Sequence, residues 1–315
     1  MSAQVWPHIS HEQLIKEEED SLAAELEWLL EALQDALPSL KSGLEECLAL
    51  LAPQEPGTTL ALSTHRSETI KGVVTRVGTR IVKGDIQIRL PSLPAPRSLP
   101  SYPLRITSPL PLPQLSALLT FLNQALDIID ISTWTGDPKN GPFISGQLRL
   151  LGDIIHEAQA IMKGGEEVVG GKWWEDDFNG DETDLNLPLY PSLSPHITLT
   201  PSSLLLTVRT LVPGPAASAP GTNGTSTPSS TSGSSLTGLS LRTRLTHILA
   251  PMPAPTHDEA DRTFLYRGSE VKVRDKVRVE AQDPSLMAVG AKLSAVGREV
   301  EAWRGKMAIV MGEEM

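Results

Sequence analysis

Histidine next to glutamate is the first pairing in this sequence that could do chemistry. His11-Glu12 and His156-Glu157 each begin like a zinc-protease helix, in which two imidazoles one turn apart hold the metal and the glutamate acts as base. Neither has a histidine at the fifth position, so the two-imidazole face is missing. His8 and His11 could share a metal, but no third or fourth ligand lies near them in the sequence. Asp177, Asn179 and Asp181 have the spacing of a calcium loop. Glu182 stands where that loop needs glycine, and Pro188 where a bidentate glutamate closes it. The run from Gly165 to Lys172 is like a phosphate loop one residue too long, with Trp173 where a hydroxyl would hold magnesium. Paired carboxylates are plentiful but fall on expected surface faces or loops, and no serine or cysteine has a nucleophile's local signature. We therefore expect no catalytic residue, no metal, no cofactor and no enzyme. Trp173-Trp174, beside Glu175, Asp176 and Asp177, is the candidate for partner binding. Two bulky aromatics in an acidic loop either tether it to the protein's own surface or anchor it on another chain.

The elements around these residues carry a stronger signal. Asp283 and Pro284 read as an N-cap and first helical residue. Leu286, Val289, Leu293, Val296, Val300, Trp303, Met307 and Val310 then recur at alternating three- and four-residue steps, one narrow seam along a helix. Gly290 and Gly297 flank the seam where a parallel zipper would carry charges. They are either surface glycines or points of close approach by a neighbouring helix, and both readings favour several helices over a two-stranded zipper. Ser10 to Leu51 is a second striped helix, with Leu22, Leu26, Leu29, Leu33, Leu37, Leu40, Leu44 and Leu48 on one side. Leu30, Leu37, Leu44 and Leu51 satisfy the leucine-every-seventh rule, but Pro38 and Gly43 oppose a long straight zipper, and a kink is expected near Pro38. Helices over 113–133 and up to about 163, joined by a Gly/Pro turn, form a hairpin.

Between them the period changes to two. IKGVVTRVG, a turn, and IVKGDIQIRLP read as antiparallel strands, followed by an extended proline-rich loop from Pro91 to Pro113. HITLTPSSLLLTVRTLV, Leu239–Leu249 and FLYRGSEVKVRDKVRVEAQ give further strands. The expected fold is α+β. An antiparallel four-helix bundle with leucine-zipper-like packing is drawn from both termini and a central hairpin (10–52, 112–164 and 283–312). A separate antiparallel β unit is built from non-contiguous segments (57–91, 196–213 and 238–281). Residues 92–111, 165–190 and 214–237 are loops or disorder.

Composition narrows the partners. The chain has 315 residues and a formal net charge of −11, which disfavours a nucleic-acid backbone. Cys47 is the single cysteine, consistent with a reducing compartment. MSAQVWPHIS has neither the basic start nor the apolar run of a signal peptide, and no stretch reads as apolar for long enough to span a bilayer. A soluble intracellular protein is expected, one that would reach a membrane through partners.

ELEWLLEALQDAL, IKGVVTRVG and GDIQIRLP, then GPFISGQLRLLGDIIHEAQAIM, ITLTPSSLLLTVRTL and FLYRGSEVKVRDKVRVEAQDPSL in that order, resemble the Rogdi family. In fungi this family is known as the second subunit of the RAVE complex, the regulator of the ATPase of vacuolar and endosomal membranes. The resemblance covers most of the chain and skips the acidic loop and the Ser/Thr tract. It implies a non-enzymatic subunit that helps reassemble the peripheral, ATP-hydrolysing sector of the V-ATPase onto its membrane sector. The implied partners are a large β-propeller-containing subunit and a small adaptor shared with ubiquitin ligases. The implied place is the cytoplasm, peripheral to vacuolar and endosomal membranes. The resemblance supplies no catalytic or partner-contact residues. The competing expectation is a self-associating leucine-zipper scaffold unrelated to proton pumping.

Overall fold

The computed structural model describes residues 10–134, 139–164, 193–214 and 257–312, apart from 66, 67, 94, 98, 261 and 267. Trp173-Trp174, the calcium-like and phosphate-like loops, His8 and the strand expected over Leu239–Leu249 lie outside the described residues.

Ser10 starts the first helix with a reciprocal capping box to Gln13, and α1 runs from His11 to Leu51, through Pro38. Five strands follow: β1 (Thr58–Ser63), β2 (Ile70–Val77), β3 (Arg80–Ile88), β4 (Tyr102–Ile106) and β5 (Leu110–Pro111). They form one antiparallel sheet ordered β1-β2-β3-β4, with β5 also on β3. The proline-rich stretch is thus not a plain loop. Pro103 and Pro111 sit on short strands at the sheet's margin, where a missing N–H is tolerated. Helices α2 (Pro113–Trp134) and α3 (Gly141–Lys163) come next, and Asn140 caps α3 by accepting from the Phe143 N–H at 3.1 Å. Gly164 ends α3 at φ +73°, a left-handed conformation that glycine adopts without strain, while Leu199 O lies 2.2 Å from where a Cβ would be. The second antiparallel sheet is ordered β6-β7-β9-β8, from β6 (Leu193–Thr200), β7 (Ser203–Pro213), β8 (Thr263–Tyr266) and β9 (Ser269–Gln282). Asp283 caps α4 (Pro284–Met311), with proline in its first turn.

The expected four-helix bundle with a separate β unit is not what forms. The described residues form four helices and two antiparallel sheets, and strands separate the helices along the sequence. One sheet is a local meander completed before α2 begins. The larger core is shared between helices and sheets, and a smaller one of Leu211, Phe264, Tyr266, Val271 and Val273 lies on the second sheet alone. The larger cluster runs from Leu33, Leu40 and Leu293 on the helices through Ile81 and Ile86 on the first sheet to Leu206 and Val208 on the second. Most of the period-2 segments could not bury one face without the helices, so the two kinds of element share the larger interior.

In chain direction α1 packs antiparallel to α4, and α3 antiparallel to α2 and to α4. Would-be or real side-chain contacts fix the registers: Gly43 with Val296, Gly152 with Arg304, Gly297 with Gln159. Contrary to the sequence reading, Pro113–Thr133 is long and apolar enough to cross a membrane by length and composition. Here Leu115, Leu118, Leu122, Ala125 and Ile129 of that helix are buried in the shared core.

Candidate functional site

The seam of α4 is sealed. Leu286, Val289, Leu293 and Val300 are wholly buried, Val296 and Met307 nearly so, and Trp303 and Val310 half-buried. On α1, Leu33, Leu37, Leu40 and Leu44 are buried and Leu26 is half-buried at the rim. Leu30 and Leu51 are buried as well, so the leucines of the every-seventh pattern face this chain's own interior. Two glycines explain how closely the helices approach. A Cβ on Gly43 would stand 2.9 Å from Val296 Cγ2, and one on Gly297 would stand 2.4 Å from Gln159 Nε2 and 3.3 Å from Ile155 Cγ2. At Gly297 the close-approach reading is the one realised, and there Gln159 Nε2 donates to Leu293 O at 3.2 Å. Cys47 is buried against the same contact, and burial pushes its thiol up to about 11, so it is an inert core residue rather than a nucleophile.

Two polar clusters tie the sheets to the rest. Plain alternation along β2 puts Arg76 on the same buried face as Ile70 and Val74, and a β-bulge at Val82 of β3 lies opposite it. Its Nε donates to Asp283 Oδ2 at 2.6 Å and its Nη1 to Gly78 O at 2.6 Å. The other carboxylate oxygen of Asp283 accepts from the N–H groups of Ser285 and Leu286, at 2.9 and 3.4 Å. One aspartate therefore caps α4 and pins it to the first sheet. A small cleft of about 160 Å³ opens beside it, lined by Gln54, Glu55, Thr58, Arg76 and Ser285. That is below the ~300–1,000 Å³ of ordinary ligand pockets.

The second cluster lies on the β6-β7-β9-β8 sheet. Arg209 grips Glu259 through two bonds, Nε to Oε2 at 2.8 Å and Nη2 to Oε1 at 3.0 Å. Lys276 Nζ donates to Glu259 Oε1 at 2.5 Å and to both oxygens of Asp258 at 2.8 Å. Burial works to raise the carboxyl of Glu259, but the bonds from Arg209 and Lys276 outweigh it and hold it below the usual range. Asp258 is lowered chiefly by the bond from Lys276. His196, buried on β6, is held down to about 4, first by desolvation and then by the charge of Arg209. Nearby, Asp275 Oδ2 accepts from the N–H of Ser92 at 3.0 Å and from the Ser92 hydroxyl. Arg209 and Lys276 thus clasp Glu259 onto the sheet, and Ser92 is clasped by Asp275.

Of the other residues singled out in the sequence, His11, His156 and Glu157 are exposed and are not brought together. Among the described residues no three His, Cys, Asp or Glu side chains are grouped to hold a metal. Sequence reasoning missed the Arg76–Asp283 pair, whose partners are 207 positions apart. The one available signal was an arginine on the same face of the strand as Ile70 and Val74.

Residues 25–308 match the family described as Rogdi leucine zipper containing protein. The chain belongs to the Rogdi family. The match takes in both helical stripes and both sheets, and this family's leucine zipper is here an intramolecular seam. It marks the chain as a scaffold-type protein, in keeping with a site made of packed surfaces. No curated protein matches the chain.

Proposed function

We propose that this chain is the Rogdi-type subunit of a RAVE-like assembly factor. In that role it would bind a large β-propeller-containing subunit and a small adaptor shared with ubiquitin ligases. Together they would return the peripheral, ATP-hydrolysing sector of the V-ATPase to its membrane sector. It would act without catalysis, from the cytoplasm, held at vacuolar and endosomal membranes by its partners and supporting their acidification. The observation that carries this reading is the family match over 25–308. The sealed seam supports it over the rival, a zipper scaffold that self-associates. A homodimer through Leu286, Leu293 and Val300 would have to open a core in which all three are wholly buried.

Affinity capture from its own cells tests the proposal. V-ATPase peripheral subunits and a large propeller-containing protein are the expected co-purifying chains, and deletion of the gene should leave vacuoles less acidic. A capture that recovers neither, with normal acidification in the deletion strain, would overturn it.

A further inference from the structure

The apolar stripe of α1 does not stop where its neighbours stop. Leu26 packs over Gly141, the first residue of α3, and every residue from Ser10 to Glu25 is exposed. That arm is about 22 Å long at ~1.5 Å per residue. On it Ile15 and Leu22 are 41% and 43% exposed. At 3.6 residues per turn they fall on the line of Leu29, Leu33, Leu40 and Leu44, within roughly 30°. The bare face is therefore the continuation of an established helix–helix seam. The arm is equipped to stay helical without cover. It extends a nucleated helix, Ser10 and Gln13 cap its tip, and Glu12 sits in the first turn where negative charge suits the dipole. Its flanks are acidic. Between His11 and Glu31 there are eight carboxylates and one lysine. The arm up to residue 24 also lies outside the family match.

We propose that this arm is a docking helix for a basic amphipathic helix of a partner chain. The partner's apolar residues would continue the seam over Ile15 and Leu22, and its lysines or arginines would meet Glu18, Glu19 and Glu25. A second copy of this chain is a poor occupant, because two such arms would set carboxylates against carboxylates. The proposal is independent of the V-ATPase reading.

Calorimetric titration of the full-length protein tests it. The probe is a synthetic 28-residue helical peptide with leucine at a and d and lysine at e and g. Controls are a scrambled peptide of the same composition and a version with glutamate at e and g. The lysine heptad peptide should bind, and the controls should not. Leu22→Asp and Ile15→Asp should each weaken binding by about tenfold or more, the scale of one large side chain's burial. Leu150→Asp, which charges an exposed leucine of α3, should leave it unchanged. Equal binding of the scrambled peptide, or full binding by the arm variants, overturns the proposal. So does a dimer of the free protein that Leu22→Asp dissolves, which would make a second copy the occupant. Binding that emerges only on deletion of residues 236–249 overturns it too, since this chain's own basic stretch would then hold the arm.

Discussion

Residues 29–51 of α1 and residues 11–25 of the same helix carry leucine or isoleucine on one line, yet the first set is sealed and the second is bare. The difference is not in the helix. Periodicity, cap and propensity make a helix of both stretches. What differs is the reach of the neighbours. α3 begins at Gly141, beside Leu26, and no described element extends to Leu22. A stripe states that a helix needs a partner, and another chain can supply it only where the fold leaves the stripe uncovered.

The largest expected effect breaks the sealed side. Leu293→Asp places a carboxylate at a wholly buried position among α1, α3 and α4, and the folded monomer should be lost, at a cost beyond about 4 kcal/mol. Leu22→Asp, the matching change on the bare side, should shift the urea midpoint by less than about 0.5 kcal/mol equivalent. Similar losses in both would erase the contrast, and so would a Leu293→Asp protein that merely dissociates from dimer to monomer by light scattering.

Next in size is the clasp. Asp283→Ala leaves the Arg76 guanidinium buried without its carboxylate and removes the α4 cap, so denaturation should report a loss of about 3–5 kcal/mol. Arg76→Met combined with Asp283→Ser, which keeps a capping hydroxyl, should recover most of it. A smaller effect concerns pH. His196 is about 4 in the fold against an ordinary 6.5, so the unfolded chain binds the extra proton between those values. Stability is complete above pH 6.5 and falls as pH drops toward 4, by up to about 3 kcal/mol at ~1.4 per unit. Glu259 and Asp258, held below their usual values, add losses only at lower pH. His196→Phe should flatten the upper part of the curve; an unaltered curve would assign it to other groups. Smallest are the helix glycines. Gly43→Ala drives a methyl into the stiff Val296, and overpacking of ~1–3 kcal/mol should exceed the ~1 gained in propensity. Gly305→Ala meets nothing within 4 Å and should stabilise by up to about 1 kcal/mol.

The helices were legible because their signals are local. Asp283-Pro284 and the seam from Leu286 to Val310 lie within one stretch of chain, and the leucine stripe from Leu22 to Leu48 marks α1. The paired strands around Gly78 were legible for the same reason, a turn between two alternating runs. The short strands β4 and β5 were hidden by their own prolines, which read as breakers unless the sheet's margin is known. The division into two sheets was not legible, because alternation shows that a strand pairs and not with which strand. Nor was the union of helices and sheets in one core. Of the polar clusters, only the capping role of Asp283 could be read. Its ion pair with Arg76, and that of Arg209 with Glu259, join residues that only the finished fold brings together.

The antiparallel seating of α1 on α4 has a consequence for biosynthesis. α1 leaves the ribosome first, and α4 emerges after every strand of both sheets. Until then Leu40, Leu44 and Cys47 lack the α4 side of their cover, and the nascent chain carries that open groove through most of translation. A message cut short anywhere upstream of Asp283 would yield a product that never closes, which cellular quality control should recognise by its exposed leucines.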